Sequence, residues 1–321
     1  MTEPPAVGAE ELKVVPIRHW GRWLAAVVLL ALLGVAIYGM AQAPVDYASI
    51  PTYLHSDVIL QGLWGTIVIS VTAQALGIIL GIIFAIMRLS KNPVVTSIAW
   101  LYIWFFRGTP VIVQLLIWFN LSIYVHTVSI PIPFTHMYLF HESMNDFMTP
   151  FMAALLGLGL NEGAYMAEIV RAGIISVEEG QTEAALSIGM TRLQTMRRVI
   201  LPQAMRVIVP PTGNEFINML KTSSLASVTT YNELFRSAES ISSAKLNPIE
   251  TLFTISIWYL VLTSIATIAQ YYIERRFARG SSRDLPETPI QRLRRNLFTW
   301  RRPKIPNTST HTAVALSGVT R

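Results

Sequence analysis

EAALSIGMTRLQTMRRVILP, residues 183–202, is an island of polar and basic side chains between two strongly apolar stretches. FMAALLGLGLNEGAYMAEIV precedes it at 151–170, and QAMRVIVPPTGNEFINML follows it at 203–220. A solvated connector would carry no pattern, yet this one does. Glu183, Ala184, Ala185 and Leu186 are good helix formers, and apolar residues recur at helical spacing. Gly189 stands where a short helix stops, and Thr191 where the next is capped. Pro202 breaks the pattern just before the next apolar run. The spacing predicts a short helix-turn-helix on a membrane surface, offering small and apolar side chains to something outside the bilayer. An amphipathic connector lying on headgroups is the alternative, favoured by Arg192, Arg197 and Arg198.

The rest of the composition agrees with a membrane setting. Of 321 residues 52% are hydrophobic and only 14% charged, where a soluble domain carries about a quarter. The apolar residues cluster into runs long enough for several spans. There is no cysteine, which excludes disulfides and thiolate metal sites. The net charge of +6 comes from basic residues crowded into loops and tail, which points to orientation in a membrane and not to nucleic acid. No GxxxxGK[ST] phosphate loop occurs, so any ATP used must bind another chain.

Taken in order, residues 1–22 form a polar segment with Lys13, Arg18 and Arg22, leading into an apolar run at 23–43. That run is too long for a signal-peptide core and AQAPV is a weak cleavage site, so a retained first span is expected. Further spans are expected near Ile59–Met87, Val95–Tyr124, Phe147–Val170, Ala204–Leu225 and Leu252–Ile273, about six transmembrane helices in an all-α integral membrane protein. Gly77 and Gly81 make a small-xxx-small pair for close helix approach. The stretch 95–124 is long for one span and is interrupted at Arg107-Gly108-Thr109-Pro110, so a broken or tilted helix is expected. Residues 125–147 hold His126, His136, His141, Glu142 and Asp146 without metal-ligand spacing, and read as a solvated loop with no metal site.

Basic residues alternate by side. Counted from an inside N-terminus, the outside loops carry only Arg236 and Lys245, so both termini and the 183–202 island fall on the cytoplasmic side. The tail 278–321 is basic; its RLRRNLFTWRR segment would lie on anionic lipid, with disorder the alternative for the residues beyond Pro303.

Polar groups inside spans each need a reason. Asn161, Tyr165 and Glu168 share one helical face at i, i+4 and i+7, with Glu162 about a hundred degrees round from Asn161. Glu168 is spaced to pair with Arg171. In the following span Asn214, Asn218 and Lys221 share a face, with Thr222 and Ser224 close behind. These two faces are read as a translocation path, Glu162 and Lys221 supplying opposite charges to a zwitterion. Arg107, Thr109, Pro110, Glu168 and Arg171 are read as structural or gating residues, with Arg107 able to pair with Glu162 or Glu215.

Four motifs then point one way. Glu183-Ala184-Ala185, Gly189 and Ile200-Leu201-Pro202 resemble the EAA loop of ABC-importer permeases. Gln181 and Gln203 complete GQTEAALSIGM and ILPQAMR, the form seen in polar amino acid permeases. RGTPVIVQL at 107–115, NEGAYMAEIVRAGI at 161–174 and NMLKTSSLASV at 218–228 follow the same pattern in order, so the resemblance covers 57–277. It implies a five-helix type I importer core with one extra N-terminal helix, a coupling loop at 178–203, and a location in a bacterial cytoplasmic membrane. It also implies a second permease subunit (identical or related), two ATP-binding subunits, and an extracytoplasmic substrate-binding protein. ATP and magnesium would sit on the partner chains, with no cofactor and no catalysis on this one. Two departures stand out: Lys221-Thr222-Ser223-Ser224-Leu225 replaces the family's KDTSL or KTTSL, and the 125–147 loop is long.

A secondary transporter would show similar halves, and none are visible. A membrane enzyme would show HExxH, GxSxG or a paired-Asp motif, and a channel a filter-like sequence; neither is present.

Overall fold

The computed structural model describes residues 20–132, 138–246 and 248–277. The N-terminal segment before Trp20 with Lys13 and Arg18, the tail from 278 to 321, and His136 lie outside the described residues. The order is α1 (Trp20–Ala41), α2 (Ile50–Leu54), α3 (Asp57–Arg88), α4 (Pro93–Gly108), α5 (Val111–Phe119), β1 (Thr127–Pro131), β2 (Tyr138–Ser143), α6 (Met144–Phe147), α7 (Pro150–Ile175), α8 (Glu179–Ser187), α9 (Arg192–Thr195), α10 (Leu201–Thr222), α11 (Leu234–Lys245) and α12 (Pro248–Phe277).

The bundle is built around α7, half of whose 26 residues are buried. Its small residues let α3 run against it along most of its length. Gly77 of α3 lies on the Glu162 side chain and Gly81 on Met166, so a Cβ at either would collide with α7. The small-xxx-small pair is therefore a helix contact. With 32 residues, α3 exceeds the ~20 needed to span a bilayer, which leaves room for tilt. Among the described residues α1, α3 and α12 are each long and apolar enough to cross a membrane, and α4 with α5 passes as one bent pair. Helices α7 and α10 have the length, 26 and 22 residues, but their polar residues make them less apolar than those spans.

The third expected span is broken: α4 and α5 meet at 102°. Pro110 cannot donate, and it holds Thr109 extended at φ −110 and ψ 144. One side chain reaches several of the acceptors around the break. Gln114 Nε2 donates to Phe106 O at 3.0 Å, Thr109 O at 3.1 Å and Thr109 Oγ1 at 2.7 Å. Polar backbone at membrane depth is tolerated only when satisfied in this way.

Two expectations need correction. The 125–147 loop contains an antiparallel hairpin, with Thr127 opposite Ser143 and Ser129 opposite His141. It is pinned because Val128 and Phe147 pack on a cluster of Met144, Met148 and Ala153. Pro202 does not interrupt its helix either. Residues Met196–Ile200 form a π turn joining α9 to α10 without a break, and Leu201 N–H reaches back to Met196 O. The wider turn accommodates the missing Pro202 donor, a known use of π segments.

Helix α1 has no buried described residue. Its connection to the core is fixed: Asp46 N–H donates to Glu250 Oε1 at 2.9 Å, and Trp258 Nε1 donates to Leu54 O at 3.1 Å.

Candidate coupling loop and translocation path

The 183–202 island folds from its own sequence. Helix α8 ends in a Schellman motif: Gly189, at φ +86, donates to Leu186 O at 3.0 Å and Met190 donates to Ala185 O at 3.1 Å. Thr191 opens α9 with a capping box, accepting from Gln194 N–H at 3.3 Å while Gln194 Oε1 accepts from Thr191 N–H at 2.9 Å. Ala185 of α8 and Thr195 of α9 are buried, and Thr195 Oγ1 donates to Thr191 O at 3.1 Å. Glu183, Ala184, Leu201 and Pro202 are exposed. So are Ile188 at 77% and Leu193 at 76%, large apolar side chains presented on either side of the turn.

The path residues divide. Asn161 and Glu162 turn into the bundle. Asn161 Nδ2 donates to Phe106 O at 2.7 Å, beside the α4–α5 break, and Glu162 accepts from Gln74 Nε2 of α3 at 3.1 Å. Both are buried. Within this chain they hold helices together, and Glu162 does not meet Lys221. Tyr165 is exposed, with the Arg107 guanidinium over its ring at 5.1 Å. Arg107 thus pairs with an aromatic face and with neither Glu162 nor Glu215. Glu168 and Arg171 do pair, with Arg171 Nη2 at 2.6 Å from Glu168 Oε2.

On α10 the expected face is open: Asn214, Asn218 and Lys221 are all exposed. Asn214 Oδ1 accepts from Gln270 Nε2 of α12 at 3.0 Å, and the same amide donates to Pro210 O at 3.2 Å. Ser224 Oγ donates to Lys221 O at 2.8 Å, closing the helix end, and Thr222 is half-buried beside it. Thr109 Oγ1 donates to Phe105 O at 2.9 Å, and Pro110 starts α5, so both shape the break.

Sequence reasoning missed Gln74 and Gln114, which satisfy Glu162 and the break. Their signal was present: each is an amide in an otherwise apolar run, and a buried amide asks for partners.

Comparison with known proteins gives a consistent result. Residues 77–279 match the family described as binding-protein-dependent transport system inner membrane component. The arginine transport system permease protein ArgU of Corynebacterium glutamicum is 46% identical over 273 residues, 84% of this chain and 84% of that protein. The glutamine transport system permease protein GlnP of Escherichia coli K12 is 31% identical over 221 residues, 68% of this chain and 92% of the relative. A crystal structure of an amino acid ABC transporter with histidines superposes with a TM-score of 0.62 at 35% identity, covering 73% of this chain and 100% of that one. A methionine transporter solved in inward-facing conformations, at 16% identity and a TM-score of 0.55, shares the fold.

Proposed function

The chain belongs to the binding-protein-dependent transport system inner membrane components, and from that premise we propose that it is the permease of an ATP-binding-cassette importer carrying a polar amino acid. Relatives named for arginine and glutamine transport support that substrate class. The observation that carries the mechanism is the α8–α9 turn, locally complete in hydrogen bonds yet exposing Ile188 and Leu193. Uncovered apolar side chains on a rigid turn suit insertion into a partner.

That partner is an ATP-binding subunit, one for each of two permease chains, identical or related. The turn lies on the cytoplasmic side of a bacterial inner membrane, as do both termini, and a substrate-binding protein delivers solute from the other side. ATP and magnesium act on the partner. Closure of the ATPase pair draws the two α8–α9 turns together and tips the spans between inward and outward openings. The path lies along the open α10 face of Asn214, Asn218 and Lys221, apposed to the second permease. Lys221 then meets the substrate carboxylate. Glu162 is buried and held by Gln74.

The experiment is co-purification with candidate ATP-binding subunits and uptake in vesicles. Ile188→Asp with Leu193→Asp places charge on exposed positions, so folding should survive. Loss of the ATPase, with uptake down tenfold or more, is the expected outcome for a buried apolar contact. An unchanged complex, or solute movement driven by an ion gradient without any ATPase, would sink the proposal.

A further inference from the structure

Arg88 ends α3, Arg107 lies at the end of α4 and Arg171 lies near the end of α7. With Trp100, Trp104 and Glu168 they line a cavity of about 520 Å³. Glu168 is the one carboxylate among the lining residues and is already held by Arg171 at 2.6 Å. Among the described residues neither Arg88 nor Arg107 makes an ion pair. The wall therefore carries three guanidiniums against one carboxylate, an excess of positive charge that an anion would offset. Trp100 and Trp104 form the open side, their rings stacked at 6.0 Å and 13°. They are 50% and 59% exposed, continuous with exposed Leu101 and Phe105 on α4. Tyr165 of α7 also lines it, under the Arg107 guanidinium at 5.1 Å, and no residue of the polar α10 face does.

We propose that this cavity binds the phosphate of an anionic phospholipid, in the leaflet at the arginine-rich end of the bundle. The guanidiniums take the phosphate oxygens, and the tryptophan pair lies against the glycerol and upper acyl chains. Guanidinium geometry suits phosphate, basic clefts between spans recruit anionic headgroups, and tryptophan prefers the interfacial level. The volume suits a headgroup, being within the ~300–1,000 Å³ of ordinary ligand pockets.

The test uses the full chain, with any subunits that co-purify, in phosphatidylcholine vesicles containing either acyl-brominated phosphatidylglycerol or acyl-brominated phosphatidylcholine. Bromine quenches tryptophan at the lipid contact. Wild type should show a preference for phosphatidylglycerol on the order of tenfold. Arg88→Gln with Arg107→Gln should abolish it, and Trp100→Phe with Trp104→Phe should remove the phosphatidylglycerol-specific quenching. Exposed Trp23 and Trp64 should still be quenched by both lipids, which reports insertion of the variants. If the double Gln variant fails to insert, Arg88→Gln alone should lower the preference and Arg88→Lys should keep most of it. Equal quenching by the two lipids in wild type would overturn the assignment, as would a preference that survives loss of the arginines. An unchanged lipid preference with a raised KM for uptake would give the guanidiniums to the carboxylate of the transported solute instead.

Discussion

The two ends of the bundle handle polar residues in opposite ways. At the end bearing α11 the polar groups are buried and joined across helices. Glu233 has no exposed surface. It accepts from Phe235 N–H at 2.8 Å and Arg236 N–H at 2.7 Å, capping α11, and from Tyr259 Oη of α12 at 3.0 Å. Next to it, Leu234 N–H donates to Thr66 Oγ1 of α3 at 3.1 Å, so the carboxylate joins α11 to α12 and its neighbour joins α11 to α3. At the other end, the caps of the α8–α9 turn bond only to residues within five positions, and its large apolar side chains face outward. The first end is a closed structural clasp. The second is a locally closed turn with its apolar side chains uncovered. The proposed coupling needs both, since pulling on the turn would move helices only if their far ends do not fray.

The strongest way to break this comparison is Glu233→Ala. It removes a helix cap and leaves partly buried donors on Phe235, Arg236 and Tyr259 without their acceptor. A cap is worth ~1 kcal/mol and each orphaned buried group ~1–3, so a loss of about 3 kcal/mol is expected. For a domain this size that lowers the thermal midpoint in detergent by roughly 10 °C. A shift under about 2 °C would show that the clasp is decorative.

The same carboxylate gives the clasp a pH dependence. Burial pushes Glu233 up from 4.5 to about 7, against the two backbone amides and the Tyr259 hydroxyl that pull it down. The folded state holds the proton more tightly than the unfolded chain. Its stabilising contribution is therefore complete below pH 4.5 and is lost as pH rises through 7. Wild type should lose on the order of 2 kcal/mol over that window relative to Glu233→Gln, which cannot titrate. Parallel midpoint curves for the two proteins from pH 4.5 to 8 would remove Glu233 as the source.

What the sequence revealed follows the same division. The α8–α9 turn was legible to the residue because its determinants are local: the positive-φ glycine at 189 and the Thr191–Gln194 capping box lie within a few positions of what they control. The break at Thr109-Pro110 was legible for the same reason, since proline acts on its own neighbours. Glu162 was visible as a costly polar residue, but its direction was not. Helix rotation is set by packing, and its partner Gln74 lies 88 positions away. Glu233 drew no attention, because Tyr259, 26 positions on, reaches it only through the fold. The 127–143 hairpin was read as loop because its prolines and histidines outweighed the short alternation of Val128, Ile130 and Phe140. The role of Pro202 depended on a π turn that residue type does not announce.

The finest test concerns Thr191→Ala, which removes one hydroxyl from the exposed end of the molecule. Thr191 Oγ1 satisfies a single backbone donor, Gln194 N–H at 3.3 Å, so the loss is ~1 kcal/mol. That cost falls on the turn alone. Apart from buried Ala185 and Thr195, little of the α8–α9 region is buried, so its opening need not involve the core. Amide exchange over residues 192–196 should quicken about fivefold, the factor that ~1 kcal/mol implies, with the thermal midpoint unmoved within about 1 °C. Uptake should fall modestly, because a partner bound to the turn restores most of its order. If the midpoint drops as far as in Glu233→Ala, the turn is part of the clasp and the two ends are not distinct. If exchange does not change, another contact holds the turn, and Ile188 and Leu193 are presented by something other than their caps.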